Sequence, residues 1–224
     1  MPGAALRNPP REPTADERRL LFAQIVEDAA PDAFEESAIL EGAPYKFFLR
    51  SLVDVSHDQL RKGTNEETTF EKLLSQPGMY RGQVVTLPRG VVLEVSKAEL
   101  PADYGLPPGY SVLVAVFVDA ARDVYALRIL CPPKSSLYEK LDKGIQEDAV
   151  PVARITGYFM KLYARQTADP KEPPWRKPLL ICPEPEFSQV AEPRKVWQEL
   201  IDTNTARFLP SQRIEAVGAE ERMV

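Results

Sequence analysis

Ser111 to Cys131 reads SVLVAVFVDAARDVYALRILC. Two runs rich in β-branched and aromatic residues, 111–119 and 122–131, flank the connection Asp119-Ala120-Ala121-Arg122. Such side chains pack well on a pleated surface, and the connection is short enough to fold the runs into a hairpin. Upstream, residues 82–97 (GQVVTLPRGVVLEVSK) carry the same pattern. A bend is expected there at Pro88 to Gly90, because proline fixes φ and removes a backbone donor. Downstream, residues 150–165 (VPVARITGYFMKLYAR) and 178–182 (PLLIC) supply a fourth and a fifth strand. Between the third and fourth lies SSLYEKLDKGIQED, in which Ser135 or Ser136 would cap a short helix.

The N-terminal third reads as helical. Three capping boxes are expected, at Thr14/Glu17, Ser56/Gln59 and Thr64/Glu67; in each, a hydroxyl and a carboxyl or amide satisfy donors that a helix start leaves unpaired. Leu21, Phe22, Ile25, Val26 and Ala29 follow the first at helical spacing, which predicts a helix over 15–29 that Pro31 ends. A second helix starts near Pro44, with Tyr45, Phe48, Leu49, Leu52 and Val53 on one face. A short helix is expected around 57–62, and another carries Phe70, Leu73 and Leu74 and stops before Pro77.

These readings divide the chain into a disordered Pro/Gly/Arg-rich tail (1–13), a helical subdomain (14–76), a β-barrel (79–187) and a C-terminal region (188–224). The last holds a short helix around 195–202, with Val196, Trp197, Leu200 and Ile201, and a loose polar tail. The fold class is α+β.

Hydrophobic residues make up 44% of the 224 and charged residues 27%, which suits a globular chain. The formal net charge of −5 disfavours a general nucleic-acid binder, which needs a basic excess to neutralise phosphates. The first twenty residues lack an apolar signal-peptide core, and the longest apolar run, Val112 to Val118, is far short of a membrane span. A cytoplasmic protein without a membrane span is the expectation.

Five strands, a bent first strand and a helix between the third and fourth resemble the order of an OB-fold barrel. The V-x-V rhythm of Val150 to Val152 and the glycine at Gly157 are similar to the strand that returns across such a barrel. The chain also resembles a group of uncharacterised bacterial proteins. They share a helical lead, a P-x-x-Y-R-G-x-x-V opening (here Pro77 to Val85) and a V-x-V-x-G-Y-F-x-K strand (here Val150 to Lys161, with the glycine one residue later). The resemblance covers about half the chain. It implies a helical subdomain packed on a five-stranded antiparallel OB-like barrel, and it implies no activity. In an OB barrel the third and fifth strands are parallel neighbours, so the resemblance places Cys131 and Cys182, each closing a strand, side by side. They are either a close pair, within reach of a disulfide, or two small apolar residues filling the rim.

No catalytic, metal or cofactor motif stands out in the sequence. His57 is the single histidine; it is read as an exposed helix-start residue, with a catalytic role as the alternative. The paired glutamates read as solvated faces. The binding candidates are the basic and aromatic residues on or beside the strands: Arg81, Arg128, Arg154, Tyr158, Lys161, Tyr163, Trp175 and Arg176. On an OB face, aromatics stack bases while cations follow phosphates; in the alternative, the aromatics fill the core and the cations reach past it to water. Strand alternation separates Arg154 and Tyr158 from Lys161, Tyr163 and Arg165 unless a bulge at Gly157 intervenes. Trp175, in the Pro-rich loop 167–178, is either a recognition aromatic or a lid on the barrel mouth. A non-catalytic interaction module with a protein partner is the leading expectation, and single-stranded nucleic-acid binding the alternative.

Overall fold

The structure is a computed structural model that describes residues 14–25, 42–64, 67–100, 104–146, 149–165, 175–185 and 192–200. Its described residues open with the helices α1 (Ala15–Phe22), α2 (Gly42–Ser51), α3 (His57–Arg61), α4 (Phe70–Ser75) and α5 (Pro77–Tyr80). Four strands follow, β1 (Val84–Thr86), β2 (Gly90–Ala98), β3 (Ser111–Asp119) and β4 (Val124–Cys131), then α6 (Leu137–Gln146). The chain continues through β5 (Ala149–Val150), β6 (Val152–Ala153), β7 (Thr156–Arg165), β8 (Trp175–Pro183) and β9 (Glu192–Pro193). Residues 194–200 are helical. The expected tail 1–13, the loop 166–174 and everything after Leu200 lie outside the described residues.

Two of the expected capping boxes form. Thr14 and Ser56 each accept from the third helical amide, while Glu17 and Gln59 return to the cap amide. The third does not form. Thr69 caps α4 instead, accepting from Lys72, while Thr64 Oγ1 bonds Thr86 Oγ1 at 2.9 Å. The first helix also stops earlier than its periodicity predicts, at Phe22 with Ala23 as its cap. Pro77 does not end the helical section: it opens the single turn α5, where its missing N–H costs nothing.

The strands form a seven-stranded, mixed, strongly curled half-barrel sheet in the order β1-β7-β8-β4-β3-β2-β6, with a separate β5-β9 pair. The five strands expected appear as seven in a mixed half-barrel, while the third and fifth of the expected order, β4 and β8, are the parallel neighbours expected. Pro88 lies in the gap between β1 and β2, and Arg154 and Ile155 lie between β6 and β7, so two long runs are each broken in two. The connection through α6 and β7 brings β8 in parallel beside β4, with Ile129 opposite Cys182. The hairpin β3–β4 pairs from Val118↔Val124 to Ser111↔Cys131, as its sequence predicts.

Alternation sorts the sheet's side chains onto two faces. Leu113, Phe117, Leu127, Ile129, Phe159, Leu180 and Cys182 belong to one cluster, into which α4 sends Leu73 and α6 sends Leu137 and Leu141. Residues from every long strand meet there, so it is the inside of the curl. The opposite face is covered in two places. Ile25, Tyr45, Phe48, Leu49, Leu52 and Leu60 pack on Val112, Ala126, Leu130, Leu179 and Ile181. Leu200 and the partly buried Trp197 pack on Val91, Val116, Val118, Val124 and Val152. The first three helices therefore lie against the flank of the sheet rather than across one end of the curl.

Gly90 and Gly157 mark where strands come closest. A Cβ on Gly90 would lie 2.2 Å from the Val118 carbonyl oxygen, and one on Gly157 would lie 2.7 Å from that of Ile181. At both positions, the close approach of a neighbouring strand demands glycine.

Candidate functional site

The strongest sequence candidates meet on the outer face, beneath the helices. Tyr158, Lys161 and Tyr163 lie along β7, and register pairs them with Ile181, Leu179 and Lys177 of β8. Strict alternation would put Tyr158 and Lys161 on opposite faces. A β-bulge between Phe159 and Lys161 inserts Met160 and reverses the parity beyond it. Tyr158, Lys161 and Tyr163 therefore share one face. The sequence left open a bulge at Gly157; the register shift lies instead between Phe159 and Lys161.

Arg128 reaches the same face from β4, opposite Ile181 in the parallel pair. Its guanidinium carbon is 5.9 Å from the centre of the Tyr163 ring, and Lys177 Nζ is 5.7 Å from that centre. Each is a cation–π contact on one phenol. Arg128 also donates to the Leu127 carbonyl at 3.2 Å. Tyr158 packs on Phe48 of α2, with ring centres 5.7 Å apart. Arg128, Lys161 and Lys177 are 2%, 1% and 2% exposed, so they cannot follow a solvated phosphate chain. Lys177, expected just ahead of the fifth strand, stands within β8.

The other candidates lie elsewhere. Arg154 is exposed in the gap between β6 and β7, and Arg176 is exposed on β8 opposite Ala164. Arg81 is half-buried in the turn after α5. The backbone of Trp175 pairs with Arg165, and its side chain, expected as a recognition aromatic or a lid, lies outside what the structure describes.

Cys131 and Cys182 are both free and buried. Both face the inside of the curl. Because Cys182 pairs with Ile129, Cys131 lies two residues further along the neighbouring strand. A rise of ~3.3 Å per residue and a strand spacing of ~4.8 Å put the two Cα atoms about 8 Å apart. That exceeds the ~7 Å a disulfide can bridge without backbone movement. Burial, and then the nearby Glu184 carboxylate, push the Cys131 thiol up to about 12. Burial, and then Cys131, raise Cys182 as well. Neither thiol is available as a thiolate nucleophile.

His57 is buried, in contrast to the exposed residue expected. Its Nε2 lies 2.7 Å from the Glu184 carbonyl oxygen and ties α3 to the end of β8. Its neighbours in sequence are the polar Ser56 and Asp58, so no apolar periodicity announces the burial.

A group of acids at the β3–β4 turn has no counterpart among the sequence candidates. Asp119 is buried and accepts from the amides of Ala121 (2.9 Å) and Asp123 (3.0 Å) and from the Tyr125 hydroxyl (3.3 Å). Burial raises the Asp119 carboxyl above its ordinary range. Burial, then Asp119 and then Glu71 of α4, push Asp123 up to about 6. The Tyr125 hydroxyl is raised too, by burial and both aspartates. The spacing Asp119-x-x-x-Asp123 around a tight turn is the signal that could have disclosed the pair. Among the described residues, no group of three or more His, Cys, Asp or Glu side chains is arranged to hold a metal ion.

No family model, curated protein or solved structure matches the chain. Among the described residues no helix is long and apolar enough to cross a membrane.

Proposed function

We propose that this chain is a non-catalytic interaction module built on an OB-like barrel, which binds a protein partner through its helix-covered exterior. The register supports the barrel. Val84↔Tyr158, Thr86↔Thr156, Gly90↔Ala153 and Val91↔Val152 run along one nearly continuous antiparallel line. With β1 and β2 as one bent strand, and β6 and β7 as another, the order is 1-2-3-5-4 and returns to 1. The third and fifth strands are then the parallel pair. That is the order of an OB barrel.

The observation that carries the functional reading is the burial of Arg128, Lys161 and Lys177 under α1 to α3. The strand face that a single-stranded nucleic acid would use is occupied by the chain's own helices. Arg128 and Lys177 there lie against the Tyr163 ring. His57 and the two thiols are likewise held in structural positions. What remains for a partner is the exterior.

The test pairs two measurements on the full chain. Affinity capture at physiological salt is expected to return a stoichiometric protein that survives nuclease treatment. Fluorescence anisotropy with a labelled oligothymidine at low salt is expected to show no binding. Salt-sensitive oligonucleotide binding that Arg154→Ala weakens would overturn the reading in favour of nucleic acid. Steady turnover on a panel of hydrolase and transferase substrates would overturn it in favour of an enzyme.

A further inference from the structure

The open end of the β3–β4 hairpin carries two matching turns. Ahead of β3, the Tyr110 amide donates to the Pro107 carbonyl at 3.3 Å, with Pro108 second in the turn and Gly109 third, at φ +88°. After β4, the Ser135 amide donates to the Pro132 carbonyl at 3.1 Å, with Pro133 second and Lys134 third, at φ +66°. A proline followed by a left-handed residue, closed by such a hydrogen bond, is the type II turn. The pairing of Ser111 with Cys131 sets the two turns side by side. They touch: a Cβ on Gly109 would lie 3.1 Å from Pro133 Cβ.

Pro107, Pro108, Pro132, Pro133 and Lys134 are all exposed. The first turn is nonetheless fixed from the α2 side. The Tyr110 hydroxyl donates to Asp54 at 2.9 Å, Arg50 Nε donates to the Tyr104 carbonyl at 3.0 Å, and the Tyr104 ring meets Tyr45 edge-on with centres 5.7 Å apart. Turn formation accounts for Pro108, Pro133 and Gly109, which hold the positions where a type II turn favours those residues. It does not call for Pro107 or Pro132, and it is opposed at Lys134. A left-handed backbone crowds any Cβ, and glycine relieves the crowding, as Gly109 does in the twin turn. The lysine is therefore held at the tip of an exposed turn against its own backbone preference, which points to a use for its charge.

We propose that the twin proline turns are the surface by which this chain docks into a partner protein, in a groove lined by aromatic rings with a carboxylate at its rim to meet Lys134. This names the docking surface of the interaction module and rests on that reading. Four exposed proline rings offer apolar faces and carbonyl acceptors but no amide donors. Trp and Tyr side chains stack on such rings and donate to such carbonyls, as they do in the grooves that take Pro-rich segments. The rings are ordered before the partner arrives, so little freedom is lost on binding. The lysine charge at one edge fixes the orientation in which the turns enter.

The probe is an SH3 domain, whose groove has this chemistry, together with two altered forms: one with a groove tryptophan changed to alanine, one with a rim carboxylate changed to lysine. Each is titrated into the isotope-labelled full chain and followed by amide chemical shifts. We expect saturable shifts centred on Gly109, Tyr110, Lys134 and Ser135, and about tenfold weaker binding by the tryptophan-less domain. Lys134→Glu should weaken binding about fivefold, and the lysine-rimmed domain should restore it. Lys134→Gly should weaken binding too, while that chain melts no lower than the native one, which separates lost recognition from lost folding. No shifts, shifts centred elsewhere, or an affinity indifferent to the charge exchange overturns the proposal. If this titration fails while affinity capture still returns a protein partner, the interaction reading stands and the proline turns are not its surface, so the two readings are decided separately.

Discussion

Replacing Asp123 with asparagine should stabilise the protein at neutral pH and leave it unchanged in acid. Asp123 follows the β3–β4 turn, half-buried, and burial, Asp119 and Glu71 lift its carboxyl from the ordinary 3.8 to about 6. An acid whose folded value is raised binds its proton more tightly in the native state. Its favourable contribution is therefore complete below pH 4 and is lost as the pH climbs towards 6. Counted in full, the difference between 3.8 and about 6 corresponds to about 3 kcal/mol. Water screens a half-buried carboxyl, so about 1 kcal/mol is the expected gain for Asp123→Asn at pH 7 to 8. The assay is urea unfolding followed by tryptophan fluorescence at half-unit steps from pH 4 to 8, for the native chain and the variant. The two stability curves should meet near pH 4 and separate through pH 6. A constant offset across the range, or a variant less stable at pH 8, would refute a carboxyl raised at this turn by burial and then by Asp119 and Glu71.

Three further outcomes test other parts of the account. Gly157→Ala sets a methyl group 2.7 Å from the Ile181 carbonyl oxygen and 2.8 Å from Cys182 Cβ, and should cost about 2 to 3 kcal/mol in chemical denaturation; a neutral result would mean that β7 and β8 are not packed so closely. Tyr163→Leu removes the ring shared by Arg128 and Lys177 and should cost about 1 to 2 kcal/mol in the same assay, beyond what apolar burial recovers. Thiol titration without reductant should find no reactive cysteine in the native protein and two after denaturation; fewer than two would mean that Cys131 and Cys182 can bond after all.

The division between what was legible and what was not follows the range of the interactions. The hairpin 111–131 could be read because each strand's β-branched run and the turn between them are local, and the register then follows from the turn. The boxes at Thr14 and Ser56 depend on partners three residues away. The box at Thr64 failed although its spacing was right: the helix starts at Phe70 with Thr69 as its cap, and Thr64 is bridged to Val84 and bonded to Thr86, partners that sequence distance hides. Likewise, the first helix stops at Phe22, and that ring lies against the ring of Phe48 with centres 5.2 Å apart. A tertiary contact sets where Phe22 must lie, and periodicity alone does not register it.

The amino-acid sequence by itself determined the element types, the bend at Pro88, the glycines at the close crossings and the pool of basic and aromatic residues. Only the tertiary structure decided how that pool is divided: Met160 bulges out of the ladder, the parity of β7 reverses, and Lys161 and Tyr163 turn to the face that Arg128 and Lys177 share. Strand alternation is a local rule. A single inserted residue reverses it, and whether that residue bulges depends on the strand hydrogen-bonded alongside, which the linear order of the chain does not contain.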